Sequence, residues 1–108
     1  MGARKKGRSL VTYAGRNYLW YMDDYSLRIA SEDKRFAVAY GWNGTLLVSG
    51  QEFPGISPQE KRPVRVAVPQ FTSTGMKTRV RKIIRWSLRS DREIHRIEPP
   101  SRFDVKAT

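Results

Sequence analysis

The sequence contains no cysteine and a single histidine, His95. Without thiols there is no disulfide framework and no thiolate metal site, and one imidazole does not make a zinc centre. This composition suits an intracellular, cytoplasmic setting and calls for no cofactor. Long apolar runs are missing as well, so no segment reads as a transmembrane span. The opening "MGARKKGRSL" has the basic start of a signal peptide but not its apolar stretch. Lys6 stands where a myristoylation motif needs Ser or Thr. No internal repeat recurs at a useful period.

Acid is the scarcest ingredient. Ten Asp and Glu stand against 21 Lys and Arg, for a formal net charge of +11 in 108 residues. From Lys61 to Ser90 nine basic residues occur with no acid at all. Charge of one sign on this scale speaks to partners and solubility, not to fold. Polyanions follow in order: nucleic acid, an anionic membrane surface, an acidic protein.

What is present suffices for one modest core: 39% hydrophobic residues, with three Trp, five Tyr and four Phe. Residues 1–8 are glycine and basic residues with little to bury, and read as a flexible arm. Residues 9–98 read as a single α+β domain, and 99–108, after Pro99-Pro100, as a loose tail. Short aromatic and β-branched runs predict strands at 9–13, 17–22, 25–30, 35–42, 45–50 and 64–68. Alternation puts Tyr25, Leu27 and Ile29 on one face, and likewise Phe36, Val38, Tyr40 and Trp42. The turns are "MDDY", "SEDK" and "WNGT", with Asn43-Gly44 the strongest hairpin signal. The expected fold is a five- to six-stranded antiparallel meander, curled or barrel-like, with a C-terminal amphipathic basic helix packed on one face. Ser57-Pro58-Gln59-Glu60 has the form of a capping box opening one helical turn. Ser90-Asp91-Arg92-Glu93 has the same form and predicts a break near Ser90 followed by a short helical turn.

The helix is expected from near Gly75, capped by Ser73 or Thr74. On a wheel drawn over 75–97, Met76, Val80, Ile83, Ile84 and Leu88 fall in one apolar arc. Arg81, Lys82, Arg85, Arg89, Arg92 and Arg96 fall opposite, with Trp86 and Arg79 on the flank. Lys77/Arg81, Arg81/Arg85, Arg85/Arg89 and Arg92/Arg96 are like-charge pairs four residues apart, each mildly destabilising in isolation. A face that repels itself is stabilised when an anion neutralises it; solvation, or acids elsewhere in the domain, is the plainer explanation. Arginine outnumbers lysine there, and its planar fork suits bidentate phosphate contact. Candidate nucleic-acid contacts are Arg81, Lys82, Arg85, Arg89, Arg92 and Lys77, with Trp86 to stack a base and Arg4, Lys5 and Lys6 of the arm assisting. Neither helix-turn-helix spacing, zinc-finger ligands, an RRM aromatic motif nor a GXXG loop is present.

The aromatics concentrate in the predicted sheet, where most must form core and exposed ones would stack single-stranded bases. Tyr18, Trp20 and Met22 share one strand face, so Leu19 and Tyr21 share the other. One helix covers one face; the other meets solvent, a second copy in a homodimer, or a ligand. Asp23-Asp24 followed by Glu32-Asp33-Lys34 has the composition of a metal-dependent nuclease site, but both clusters sit in turns at opposite ends of a strand. His95 among Arg and Glu reads as a surface residue, and no residue pair singles out a metal-free ribonuclease or toxin. The sequence therefore points to non-catalytic binding of nucleic acid, DNA or RNA with single strands slightly favoured. The alternative is an adaptor meeting an acidic protein.

Overall fold

A computed structural model describes residues 8–41, 43–73 and 75–97. Six strands, β1 (Ser9–Tyr13), β2 (Arg16–Met22), β3 (Ser26–Ser31), β4 (Ala37–Gly41), β5 (Thr45–Val48) and β6 (Val64–Ala67), precede one helix, α1 (Met76–Leu88). The strands pair in chain order as an antiparallel meander, and the sheet stays open, with β1 and β6 at its edges. The class is α+β, as the alternation predicts.

Register decides what each face carries, because side chains alternate along a strand. Tyr18 lies opposite Ser31, Ile29 opposite Val38, Val38 opposite Val48, and Leu46 opposite Val66. This face, with Val11, Leu27 and Tyr40, is buried. Helix α1 lies on it through Val80, Ile83, Ile84 and Ser87. Each of those aliphatic side chains contributes about 1.5–3 kcal/mol by leaving water. Tyr18 meets Phe36 edge-on at 5.6 Å, and Tyr40 meets Phe71 at 5.4 Å, geometries that aromatic rings prefer. The Tyr40 hydroxyl accepts the Phe71 backbone N–H at 3.2 Å and so fixes the approach to the helix.

Several local expectations need correction. Tyr25 leaves the β3 face and is 83% exposed. The Asp23 carboxylate accepts the Tyr25 and Ser26 amides at 2.9 and 2.8 Å, which makes Tyr25 part of the turn. Residues 57–60 form a turn rather than a helix, closed by the Glu60 amide on the Ser57 carbonyl at 3.0 Å. Helix α1 starts from Gly75 without a side-chain cap, so Ser73 does not cap it, and Thr74 lies outside the described residues. No helical turn follows Ser90. Instead the chain extends, and residues 95–97 pair with β6: the Ala67 amide donates to the His95 carbonyl and the Ile97 amide to the Arg65 carbonyl, both at 2.8 Å.

Two turns show why glycine stands where it does. β1 and β2 are joined by Ala14 (φ 51°) and Gly15 (φ 77°), a two-residue hairpin with both positions left-handed. At Asn43-Gly44 the strands part at Gly41 and rejoin at Thr45, with Gly44 at φ 84°. Trp42, in that loop, lies outside the described residues.

Candidate functional site

Helix α1 turns its apolar arc inward, which leaves Lys77, Arg81, Lys82 and Arg85 exposed on the outer side. Along the axis, Lys77, Arg81 and Arg85 are spaced by about 6 Å, four residues at 1.5 Å each. Arg81 Nε donates to the Thr12 carbonyl at 3.3 Å and Lys82 Nζ to the Thr72 carbonyl at 3.0 Å. These bonds orient the two side chains and leave their charge uncompensated. The Lys77 and Arg85 side chains make no ion pair or hydrogen bond with a described residue. The first turn carries no acid, so the positive end of the helix dipole adds to the field of the cations.

Several carboxylates are occupied elsewhere. Glu52 holds Arg16 at 2.7 Å, and Asp33 holds the same guanidinium at 3.2 Å. Asp23 pairs with Arg28 at 2.6 Å and Glu60 with Arg96 at 2.9 Å. The Arg16 guanidinium is held well above its usual range, first by the hydrogen bond to Glu52. Among the described residues, no carboxylate reaches Lys77, Arg81, Lys82 or Arg85.

The other predicted contacts separate from this row. Arg89 lies just past the helix and is bidentate to Asp91, at 2.9 and 3.1 Å. Arg92 does not continue the basic arc. Its guanidinium lies over the Phe53 and Trp86 rings where they meet, 4.7 Å from each centroid, and donates to the Pro54 and Ser87 carbonyls at 2.9 and 2.7 Å. Burial pushes its pKa below the ordinary arginine value, and the charge of Arg89 acts in the same direction. Trp86, expected on the flank to stack a base, packs against Phe53 and Phe71 beneath Arg92. Arg96 pairs with β6 outside the helix. Arg4, Lys5 and Lys6 lie outside the described residues.

Asp23 and Asp33 shape turns at the two ends of β3. The Asp33 carboxyl is lowered to about 2, first by the Ser31 hydroxyl, which donates to it at 2.6 Å, then by the Arg35 amide. Among the described residues, no three His, Asp or Glu side chains gather as a metal ion would require. His95 is exposed beside Glu93 at 3.1 Å. None of the described residues forms a helix long and apolar enough to cross a membrane.

The aromatics divide by face. Tyr18, Phe36 and Tyr40 are core. On the uncovered face stands Tyr21, with the Arg8 guanidinium 5.0 Å from its ring centroid. Sequence reasoning missed the stacked environment of Arg92 because Phe53 lies far away in the chain. Compared with family models, with curated proteins and with solved structures, the chain gives no match.

Proposed function

We propose that this is a small basic protein that binds nucleic acid without catalysis, through the phosphate backbone, using the outer row of α1. One observation carries the reading. Lys77, Arg81, Lys82 and Arg85 are exposed and meet no described carboxylate, although the domain pairs Arg16, Arg28, Arg35, Arg89 and Arg96 with acids. The acids that do form ion pairs with arginine compensate other arginines, not this row. With Tyr18, Phe36 and Tyr40 in the core and Trp86 packed against Phe53 and Phe71, the affinity rests on phosphate contact rather than base stacking, and carries little sequence preference.

The test is fluorescence anisotropy with labelled single- and double-stranded oligonucleotides across a salt series. Four phosphate contacts predict a log–log slope of about −2.8 on single strands and about −3.6 on duplex. Arg81→Gln/Lys82→Gln/Arg85→Gln removes three of them and should leave a slope of roughly −0.7 to −0.9. A folded triple variant that keeps the parent slope and affinity would falsify the assignment, and so would a parent protein that fails to bind at about 50 mM salt. In the second case the row is left to an acidic protein partner.

A further inference from the structure

Helix α1 covers one face of the sheet; the other is a trough. Its floor is Ala30, Ala37 and Ala39, its walls are Leu19 and Tyr21 on one side and Leu47 on the other, and its volume is about 260 Å³. The register builds this shape. Ala30 lies opposite Ala37 in the middle of the sheet, while Leu19 flanks Ala30 and Leu47 flanks Ala39. Small side chains at Ala30, Ala37 and Ala39, with Arg28 between Tyr21 and Ala39 and larger side chains on both sides, leave a channel parallel to the strands.

Cations surround the channel. Arg8 lies over Tyr21 at 5.0 Å, Arg28 and Lys34 line the same trough, and Arg65 stands opposite Leu47 on the neighbouring strand. Against them are Glu32, and Asp23, which is already bound to Arg28 at 2.6 Å. The rim therefore remains positive.

We propose that this trough docks an acidic amphipathic segment of another protein, in extended form, with aliphatic side chains on the alanine floor and carboxylates on the rim. Complementarity of charge and polarity selects that occupant. A second copy would set one cationic rim against another. A nucleic-acid strand would want several open aromatic faces; the trough lining offers Tyr21, and Arg8 lies over that ring. β4 has five residues, about 17 Å, so a segment of similar length fills the channel. This proposal stands apart from the helix reading. Together they describe a protein with a polyanion on one side and an acidic protein on the other.

The probe is an acetylated peptide of alternating glutamate and leucine, about seven residues long, which spans the strand length with some margin. Methyl-alanine NMR of the full chain reads the floor directly. Saturable shifts at Ala30, Ala37 and Ala39, with a Kd near or below about 1 mM, support docking. A glutamate–serine peptide should bind about tenfold or more weaker, having lost the apolar contacts. Arg8→Glu/Lys34→Glu/Arg65→Glu, all at exposed positions, should weaken the glutamate–leucine peptide by about tenfold or more and leave helix-face oligonucleotide binding in place. Unmoved methyls, or a folded rim variant of unchanged peptide affinity, overturns the proposal. So does an oligonucleotide that shifts the same three methyls, because the trough is then a nucleic-acid surface. The Arg81→Gln/Lys82→Gln/Arg85→Gln protein should still take the peptide, which separates failure of one reading from failure of the other.

Discussion

Replacing Arg92 with alanine should cost the fold about 2–4 kcal/mol, although the residue is an arginine in a basic run. The guanidinium makes two charge-assisted hydrogen bonds, to Pro54 and Ser87 carbonyls at 2.9 and 2.7 Å. Each such bond contributes about 1.5–3 kcal/mol when sheltered. Arg92 is half-buried, so water recovers part of that loss. Its position over the Phe53 and Trp86 rings, 4.7 Å from each centroid, adds roughly 0.5–2 kcal/mol. For a domain of this size the expected fall in Tm is about 10–20 °C. Arg92→Lys should recover less than half, because an ammonium keeps the charge but not the planar fork. Arg85→Gln is the matched control, expected within about 0.5 kcal/mol of the parent as an exposed site without a described partner. Thermal and guanidinium unfolding followed by circular dichroism measures all three. The reasoning fails if Arg92→Ala costs less than about 1 kcal/mol, or if it weakens oligonucleotide binding as much as Arg85→Gln does while Tm holds.

Other expectations concern turns and protons. Asp33 titrates at about 2 in the fold, below the roughly 3.9 of an unfolded chain, so its contribution is full above about pH 4 and is lost as pH falls through about 2. Tm measured from pH 6 down to 2 should therefore drop, and Asp33→Asn should start lower and converge with the parent at the acid end; parallel curves would contradict the assignment. Ala14 holds φ 51°, which costs an alanine about 1–2 kcal/mol. Ala14→Asn should accordingly raise Tm by a few degrees, and a lower Tm would show that the turn reading is wrong. At Gly50 an added Cβ would lie 2.5 Å from the Ala37 amide nitrogen and the Arg35 carbonyl oxygen, so Gly50→Ala should cost about 2–3 kcal/mol; near-neutral unfolding data would refute that close approach.

Whether a feature could be read from sequence followed the range of the interaction that creates it. Leu27, Ile29, Val38 and Tyr40 announce their face by simple alternation, and Val80, Ile83 and Ile84 by helical period; both are local periodicities. The end of α1 is not local. Amphipathic spacing runs on through Arg92 and Arg96, so a wheel continues past the point where the helix stops. What redirects the chain is Phe53 and Trp86 receiving Arg92, and β6 receiving residues 95–97. Ala14-Gly15 escaped because alanine is rare where φ is positive, whereas Asn43-Gly44 advertised itself and closed a different loop. The candidate row was legible from Lys77 to Arg85. Removing Arg92 and Trp86 from it required knowing what surrounds them. The trough was half legible: Leu19 and Tyr21 declare a second apolar face, but three alanines meeting at its centre is a matter of register.

Residues 95–97 make the two borders of the sheet unequal. A strand edge with unpaired amides and carbonyls is a template, and a sheet with two such edges can add copies of itself without limit. Here β6 is already answered by its own chain. The edge of β1 meets no other described strand, and Arg81 places a charge on its Thr12 carbonyl. Were two molecules to join edge to edge, β1 would offer the longer open border among the described residues.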